Sequence, residues 1–299
     1  MREPVTATLV AATLDPPDRF YRYPLAESVV PWVAATRVTP NQVTVLHTLL
    51  GVAAAGCVWR GTPLAILAAG VLWELHLVLD CLDGVLARVR RSMTVYGRFL
   101  DIIGDTVAYL ALALAMYGHV RTHSPDAPAG LVTGAMIATG ALTAWAHDFY
   151  RRKLTAALVD GTDPIYADLL AKHRVIAAGR AGFVAWFGYA FDWLQVVGLQ
   201  PMTTLDLARR VRADAPPHPP GESAEVRAIV ASAATPEARR ACRAIGLMSN
   251  DNNVTIIGLG LLSGHVLAAE IAAAVYGAVA LVVGVVICQV FLMKARQSC

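Results

Sequence analysis

Six stretches of this chain carry almost no charge over about the ~20 residues that a helix needs to cross a bilayer core. They run from Val43 to Trp59, Pro63 to Ala87, Leu100 to Val120, Ala129 to Phe149, Val254 to Ala272 and Ala274 to Met293. Composition agrees with them. Hydrophobic residues make up 56% of the 299 and charged residues only 16%, where a soluble domain carries about 25% charged residues. The sequence predicts an all-α integral membrane protein with six transmembrane helices.

Charge outside these runs orients them. With the N-terminus in the cytoplasm, all but Arg60 and Arg121 of the 25 Lys and Arg residues fall inside. Those inside include Arg88, Arg90, Arg91, Arg98, Arg152, Lys153, Lys294 and Arg296, the asymmetry that sets membrane topology. Both termini are expected in the cytoplasm. Arg far exceeds Lys, and Ala and Val are abundant. That bias points to a GC-rich prokaryotic genome and hence to a plasma (inner) membrane. No basic patch, apolar run and small-residue cleavage site mark a signal peptide.

Four regions follow. Residues 1–42 form an N-terminal tail and an interfacial helix. Residues 1–15 are expected to be unstructured. Residues 16–36 carry Arg19, Phe20, Tyr21, Arg22 and Trp32, a mixture suited to a helix lying in the membrane interface. Residues 43–150 hold the first four spans. Residues 151–253 are a helical cytoplasmic insertion between spans four and five, with a Pro-rich linker at 213–222. Thr235, Pro236 and Glu237 start a helix over 236–246 there. Residues 254–299 hold the last two spans and a short tail. Residues 182–199 read either as an interfacial helix or as a seventh span. A seventh span would bury Asp192 and move Lys294 and Arg296 outside.

No basic stripe with interleaved aromatics marks a nucleic-acid surface, so no nucleic-acid partner is expected. Cys57, Cys81, Cys242, Cys288 and Cys299 show neither metal nor disulfide spacing and read as free thiols.

The second and third spans carry the chemistry. Asp80 and Asp83 are three residues apart, and Asp101 and Asp105 four, so each pair shares one helix face. A short basic turn makes the two helices antiparallel neighbours, with both pairs near their cytoplasmic ends. A bare carboxylate in a bilayer is costly, and four together repel one another. Hard divalent ions resolve the repulsion, Mg²⁺ or Mn²⁺, with no nitrogen or sulfur ligand expected nearby. Two such ions roughly 3.5–4 Å apart activate an attacking oxygen and stabilise a leaving one. Gly84, Ala87, Gly97 and Gly104 leave room for a bulky ligand against the backbone. Arg88 offers a bidentate fork to phosphate.

The run D-x2-D-G-x2-A-R-x8-G-x3-D-x3-D resembles, position for position, the signature of the CDP-alcohol phosphotransferase family. Here it is Asp80, Asp83, Gly84, Ala87, Arg88, Gly97, Asp101 and Asp105. The six-span layout is similar too, as is Thr39-Pro40-Asn41-Gln42-Val43-Thr44 at the start of the first span. The resemblance covers residues 16–150 and, more weakly, 254–295, and leaves the insertion unmatched. It implies transfer of a phospho-alcohol from a CDP-linked alcohol to an acceptor alcohol with release of CMP. It implies that Asp80, Asp83, Asp101 and Asp105 form the metal site, and that Asp105 is the general base on the acceptor hydroxyl. It places Gly84 and Ala87 against the cytidine and Arg88 at the phosphates, with Asn41, Thr44, Asp83 and Gly97 also in the nucleotide site. It further implies a homodimer. The donor is either CDP-diacylglycerol, with a small polar acceptor, or a CDP-polar alcohol, with a lipid or polyol acceptor.

Other polar residues lie in or beside the spans. His147, Asp148 and Arg151 are expected to touch the acceptor. Glu270 is expected at the external headgroups. Glu74 and His76 are expected either in interhelix or dimer bonds or in substrate contact. His47 and His265 receive no role. The competing class is a cation transporter. It needs polar groups near the midplane, whereas these acids cluster at one edge.

Overall fold

In the computed structural model, which describes residues 3–297, the chain is helical, and no strand occurs among the described residues. The expected thiol at Cys299 lies outside the described residues. The first helix, α1, is Glu3–Ala11, so the expectation of an unstructured tail fails. Leu9 is buried, and a Cβ added to Gly246 would fall 2.6 Å from the Leu14 carbonyl oxygen. The partner of this segment lies far along the chain, where a local reading could not find it.

One turn of π-helix, Asp18–Arg22, runs into α2, Tyr23–Ala34. Phe20 and Trp32 are exposed, but Arg22 is only 1% exposed. Arg22 therefore does not face headgroups. Its Nε donates to Glu74 at 3.0 Å and its Nη2 to Thr255 at 2.9 Å. Glu74 thus serves an interhelix bond.

Helix α3, Pro40–Arg60, starts with a reciprocal cap between Thr39 and Gln42, which satisfies two orphan N–H groups. It ends at Gly61, whose φ of +73° suits glycine. Helix α4 is Pro63–Val89, α5 is Val95–His123 and α6 is Ala129–Val159. The Arg90 guanidinium donates to the carbonyls of Val33, Ala34, Thr36 and Val38, which fastens the segment before α3 to the end of α4. Then come α7, Pro164–Ala177, α8, Phe183–Leu199, α9, Thr204–Arg212, α10, Ala224–Ala231, and α11, Pro236–Leu247.

Helix α12 is Asn250–Leu262 and α13 is Val266–Gln297. The apolar run from Val254 to Ala272 is therefore not one helix. It breaks at Ser263–His265, where Gly264 has a φ of +79°. Among the described residues, five helices are long and apolar enough to cross a membrane: α3, α4, α5 from Phe99, α6 and α13. All backbone polar groups inside a helix are satisfied within it, which lipid demands.

The described chain divides into two compact units. The first takes in the residues up to Leu14, Leu142–Ser249 and those from Ala280 onward. Its core includes Phe149, Leu154, Leu169, Ile245 and Phe291. Glu225 sits 3.0 Å from Lys153 and 2.7 Å from Arg296. Burial raises its carboxyl, but the two cations outweigh burial and hold it below its ordinary range. Asp192 is buried, 2.5 Å from Lys172. Phe183, Trp186 and Phe187 on the same helix are exposed.

The second unit is Asp15–Ala141 with Asn250–Val279. Its helices approach closely where one residue is small. A Cβ on Gly51 would come 2.5 Å from Ala108 Cβ, and one on Gly70 2.7 Å from the Leu262 nitrogen. Glu270 is fully buried and accepts a hydrogen bond from Thr133 at 2.9 Å, so it is not at the headgroups.

Candidate functional site

Helices α3, α4 and α5 bring the four aspartates together, all within the second unit. Thr94 caps α5 by accepting from the Gly97 N–H at 2.9 Å, which starts the helix at Val95, less than two turns before Asp101. The carboxylates surround a residue without an expected role, His47 on α3. Its Nε2 lies 3.2 Å from Asp83 Oδ2, 3.8 Å from Asp101 Oδ1 and 3.9 Å from Asp80 Oδ1. Its Nδ1 lies 3.8 Å from Asp105 Oδ1.

Ligand atoms of His47, Asp80, Asp83 and Asp101 all stand within 4.8 Å of one another. Asp105 belongs to a second such group, with His47 and His76. Asp105 Oδ1 is buried without a hydrogen bond. Hard oxygen donors converging to this degree, one of them lacking a donor, fit a divalent cation. Where no nitrogen ligand was expected nearby, ring nitrogens of His47 and His76 stand beside the carboxylates. Spacing could have shown both: His47 follows Thr44 by three residues and His76 precedes Asp80 by four, each one helical turn.

A cavity of about 170 Å³ opens beside the carboxylates. Asn41, Thr44, Asp83, Gly84, Ala87, Arg88 and Gly97 all line it, as does Asp101. Thr44 Oγ1 donates to Asp83 Oδ2 at 2.5 Å, and Asp83 is buried. A Cβ on Gly84 would meet only Arg88 Nη1, at 3.7 Å. The same addition at Gly97 would press on Asn41 Oδ1 and Thr94 Oγ1, both at 3.1 Å. Gly104 does not line the cavity. A side chain there would strike Thr48, so its smallness serves helix packing rather than ligand access. The Arg88 guanidinium lies 5.8 Å over the Tyr23 ring.

A third acidic group was not foreseen. Asp15, Asp18 and Asp251 stand within 4.8 Å of one another. Asp15 accepts from the Asp18 N–H at 2.9 Å, and Arg22 Nη1 lies 3.5 Å from Asp18. Burial, reinforced by Asp251, pushes the Asp15 carboxyl up to about 6 and the Asp18 carboxyl up to about 7. Arg22 supplies counter-charge here.

The residues expected at the acceptor belong to the first unit. Arg151 is exposed and His147 half-buried on α6. Asp148 lies 3.0 Å from Arg152 Nε and accepts from Gln195 at 3.2 Å.

The family model of the CDP-alcohol phosphatidyltransferases matches residues 37–200. The match runs through α7 and α8, further than the sequence motif reached. A bifunctional IPC transferase and DIPP synthase of Thermococcus kodakarensis is 41% identical over 86 residues, 28% of this chain and 19% of that protein. Its namesake from Aquifex aeolicus is 34% identical over 85 residues, again 28% and 19%. The chain thus spans about a fifth of the length of these two relatives. A CDP-diacylglycerol–glycerol-3-phosphate 3-phosphatidyltransferase of Pseudomonas fluorescens is 28% identical over 162 residues, 51% of this chain and 79% of that enzyme. With the motif complete and more than half its length matched, this chain belongs to the CDP-alcohol phosphatidyltransferase family.

Proposed function

We propose that this chain transfers a phospho-alcohol group from a CDP-linked alcohol to an acceptor hydroxyl, releasing CMP, as a step of phospholipid biosynthesis. The observation that carries this reading is the convergence of Asp80, Asp83 and Asp101 beside the cavity that Asn41, Gly84 and Arg88 line. Mg²⁺ or Mn²⁺, most simply as a pair of ions, would neutralise the donor's diphosphate and stabilise the departing CMP. Asp80, Asp83, Asp101 and Asp105 would hold the cation, the first three as one convergent group. Gly84 and Ala87 leave the nucleotide room against α4, and the Arg88 fork meets phosphate. Asp105 takes the proton of the acceptor hydroxyl. That oxygen bonds to the phosphorus bearing the alcohol as the bond to CMP breaks. Positioning and electrostatics supply most of the acceleration. The relative that aligns over the larger share of both chains names CDP-diacylglycerol as donor, which makes it the first donor to test.

The reading includes six crossings with the insertion and both termini in the cytoplasm, in a plasma (inner) membrane, and a homodimer as the family resemblance implies. Ion pairs within the first unit support the count. Arg296 near the end of α13 pairs with Glu225 at 2.7 Å, and Lys153 at the end of α6 pairs with the same carboxylate at 3.0 Å. The two helix ends therefore share one side. An even number of crossings between them is met by α12 together with α13 when α8 lies in the membrane interface. Thiol labelling of an Ala215→Cys variant from outside intact cells would contradict this topology.

The activity is tested by CMP release from the purified protein with Mg²⁺ or Mn²⁺, using CDP-diacylglycerol and CDP-polar alcohols against a panel of acceptors. Absence of CMP release from every pair would overturn the reading.

A further inference from the structure

His47 is fully buried, sits within 4 Å of an oxygen from each of the four motif aspartates, and yet its Nε2 makes no hydrogen bond. A nitrogen so placed has two readings. It is a metal ligand, or it carries a proton and orients the carboxylates. The second histidine decides between them.

His76 is also buried, one helical turn before Asp80 on α4. Its Nδ1 lies 3.0 Å from the His47 carbonyl oxygen. A carbonyl can only accept, so His76 Nδ1 carries a proton. The same Nδ1 lies 3.2 Å from His47 Nδ1. Two protonated nitrogens cannot face each other at that distance, so His47 Nδ1 must present its lone pair. A neutral imidazole with a bare Nδ1 carries its proton on Nε2. Nε2 points among Asp83, Asp101 and Asp80, with Asp83 Oδ2 nearest at 3.2 Å. A protonated nitrogen has no lone pair for a metal.

We propose that His47 is a positioning residue of the carboxylate cluster: a neutral imidazole, held by His76 with its proton on Nε2, that orients Asp83 and leaves the metal an all-oxygen shell. The proposal rests on the reading that these carboxylates bind a divalent ion. It explains why a histidine stands among the four aspartates without converting a hard-ion site into one that favours zinc or copper. It also sets two polar groups of α3 against one oxygen of Asp83. Thr44 Oγ1 bonds Oδ2 at 2.5 Å, and His47 approaches the same oxygen from one turn further along the helix.

The test uses Mn²⁺ as the probe on the full-length protein, read by electron paramagnetic resonance. Free Mn²⁺ disappears on titration if the site binds it, and pulsed spectra then report any directly coordinated ¹⁴N. The expected result for the parent is bound Mn²⁺ without a directly coordinated nitrogen. His47→Leu should weaken Mn²⁺ binding by about tenfold or more, in the range found when partners of ligands are removed. His47→Gln, whose amide N–H reaches the Nε2 position, should keep affinity within about threefold of the parent, well inside that range. A directly coordinated ¹⁴N in the parent would overturn the proposal, and so would His47→Leu binding Mn²⁺ as tightly as the parent. If the Leu variant fails to fold, the parent spectrum and the Gln variant still decide. A parent that binds no Mn²⁺ would remove the metal reading itself, and this proposal with it.

Discussion

Thr44 Oγ1 donates to Asp83 Oδ2 across 2.5 Å and so joins α3 to α4 at the most buried of the four motif carboxylates. The bond has a charged acceptor, a class worth about 1.5–3 kcal/mol. Thr44→Val keeps the shape and removes the donor. It should weaken Mn²⁺ binding by about 10–100-fold, while Thr44→Ser should restore most of it. Equal Mn²⁺ affinity in the Val variant and the parent would show that the bond does not hold the carboxylate.

Chelation should abolish CMP release, and Mg²⁺ or Mn²⁺ should restore it. Asp80→Asn and Asp101→Asn should each lower both metal and donor affinity, since each removes one charge from a group converging within 4.8 Å. Full CMP release in excess EDTA would end the metal reading. A variant that binds metal and donor like the parent would end the assignment of that residue.

Asp105 should separate from the other three. It groups with His47 and His76 rather than with Asp80, Asp83 and Asp101. As a base, Asp105→Asn should leave donor affinity nearly intact and lower turnover by about 10²-fold or more. Donor affinity falling together with the rate would move Asp105 into the metal shell. Unchanged turnover would remove the base role altogether.

The Asp15 carboxyl gives a pH signature. Its ionisation in the fold is raised from 3.8 to about 6, first by burial and then by Asp251. A raised acid stabilises the fold fully below pH 4, and that stability is lost as pH rises through about 6. Asp15→Asn keeps an oxygen for the Asp18 N–H and cannot ionise. Its melting temperature should exceed the parent's by a few degrees at pH 8 and match it near pH 4. A gain of equal size at both pH values would locate the effect elsewhere.

Gly51 and Gly56 lie on the same helix and should respond oppositely. A Cβ at Gly51 would strike Ala108, whereas none within 4 Å awaits one at Gly56. Gly51→Leu should cost about 1–3 kcal/mol through overpacking, and Gly56→Leu should not lower the melting temperature. Equal melting of the two variants would contradict the close approach of α3 and α5.

What could be read beforehand was whatever depends on short spacing or long apolar runs. Asp80 with Asp83 and Asp101 with Asp105 declare their shared faces within one turn. The caps at Thr39 and Thr235 lie beside their prolines. Contacts set by distant partners could not be read. Arg22 looks like an interfacial cation until Glu74 and Thr255 meet it, 52 and 233 residues away. Glu270 looks like a headgroup residue until Thr133 covers it. His47 is legible one turn after Thr44 on the same face, and the packing of three helices seats its ring among the acids. The apolar run from Val254 hid a break because Ser263, Gly264 and His265 are too few to lower its average hydropathy.

That break has a consequence for the lipid. Thirteen residues of α12 rise only about 20 Å, against a hydrocarbon thickness of about 30 Å. Helix α12 is bound to α4, with Trp73 Nε1 donating to the Val254 carbonyl at 3.0 Å and Gly70 close against Leu262. It cannot lengthen by sliding. On the proposed six-span topology, a crossing segment this short makes the surrounding bilayer thin to meet it. Acyl chains beside α4 are then compressed on the helix that carries Asp80 and Asp83, so vesicles of shorter-chain lipid should relieve that mismatch and those of longer-chain lipid should increase it.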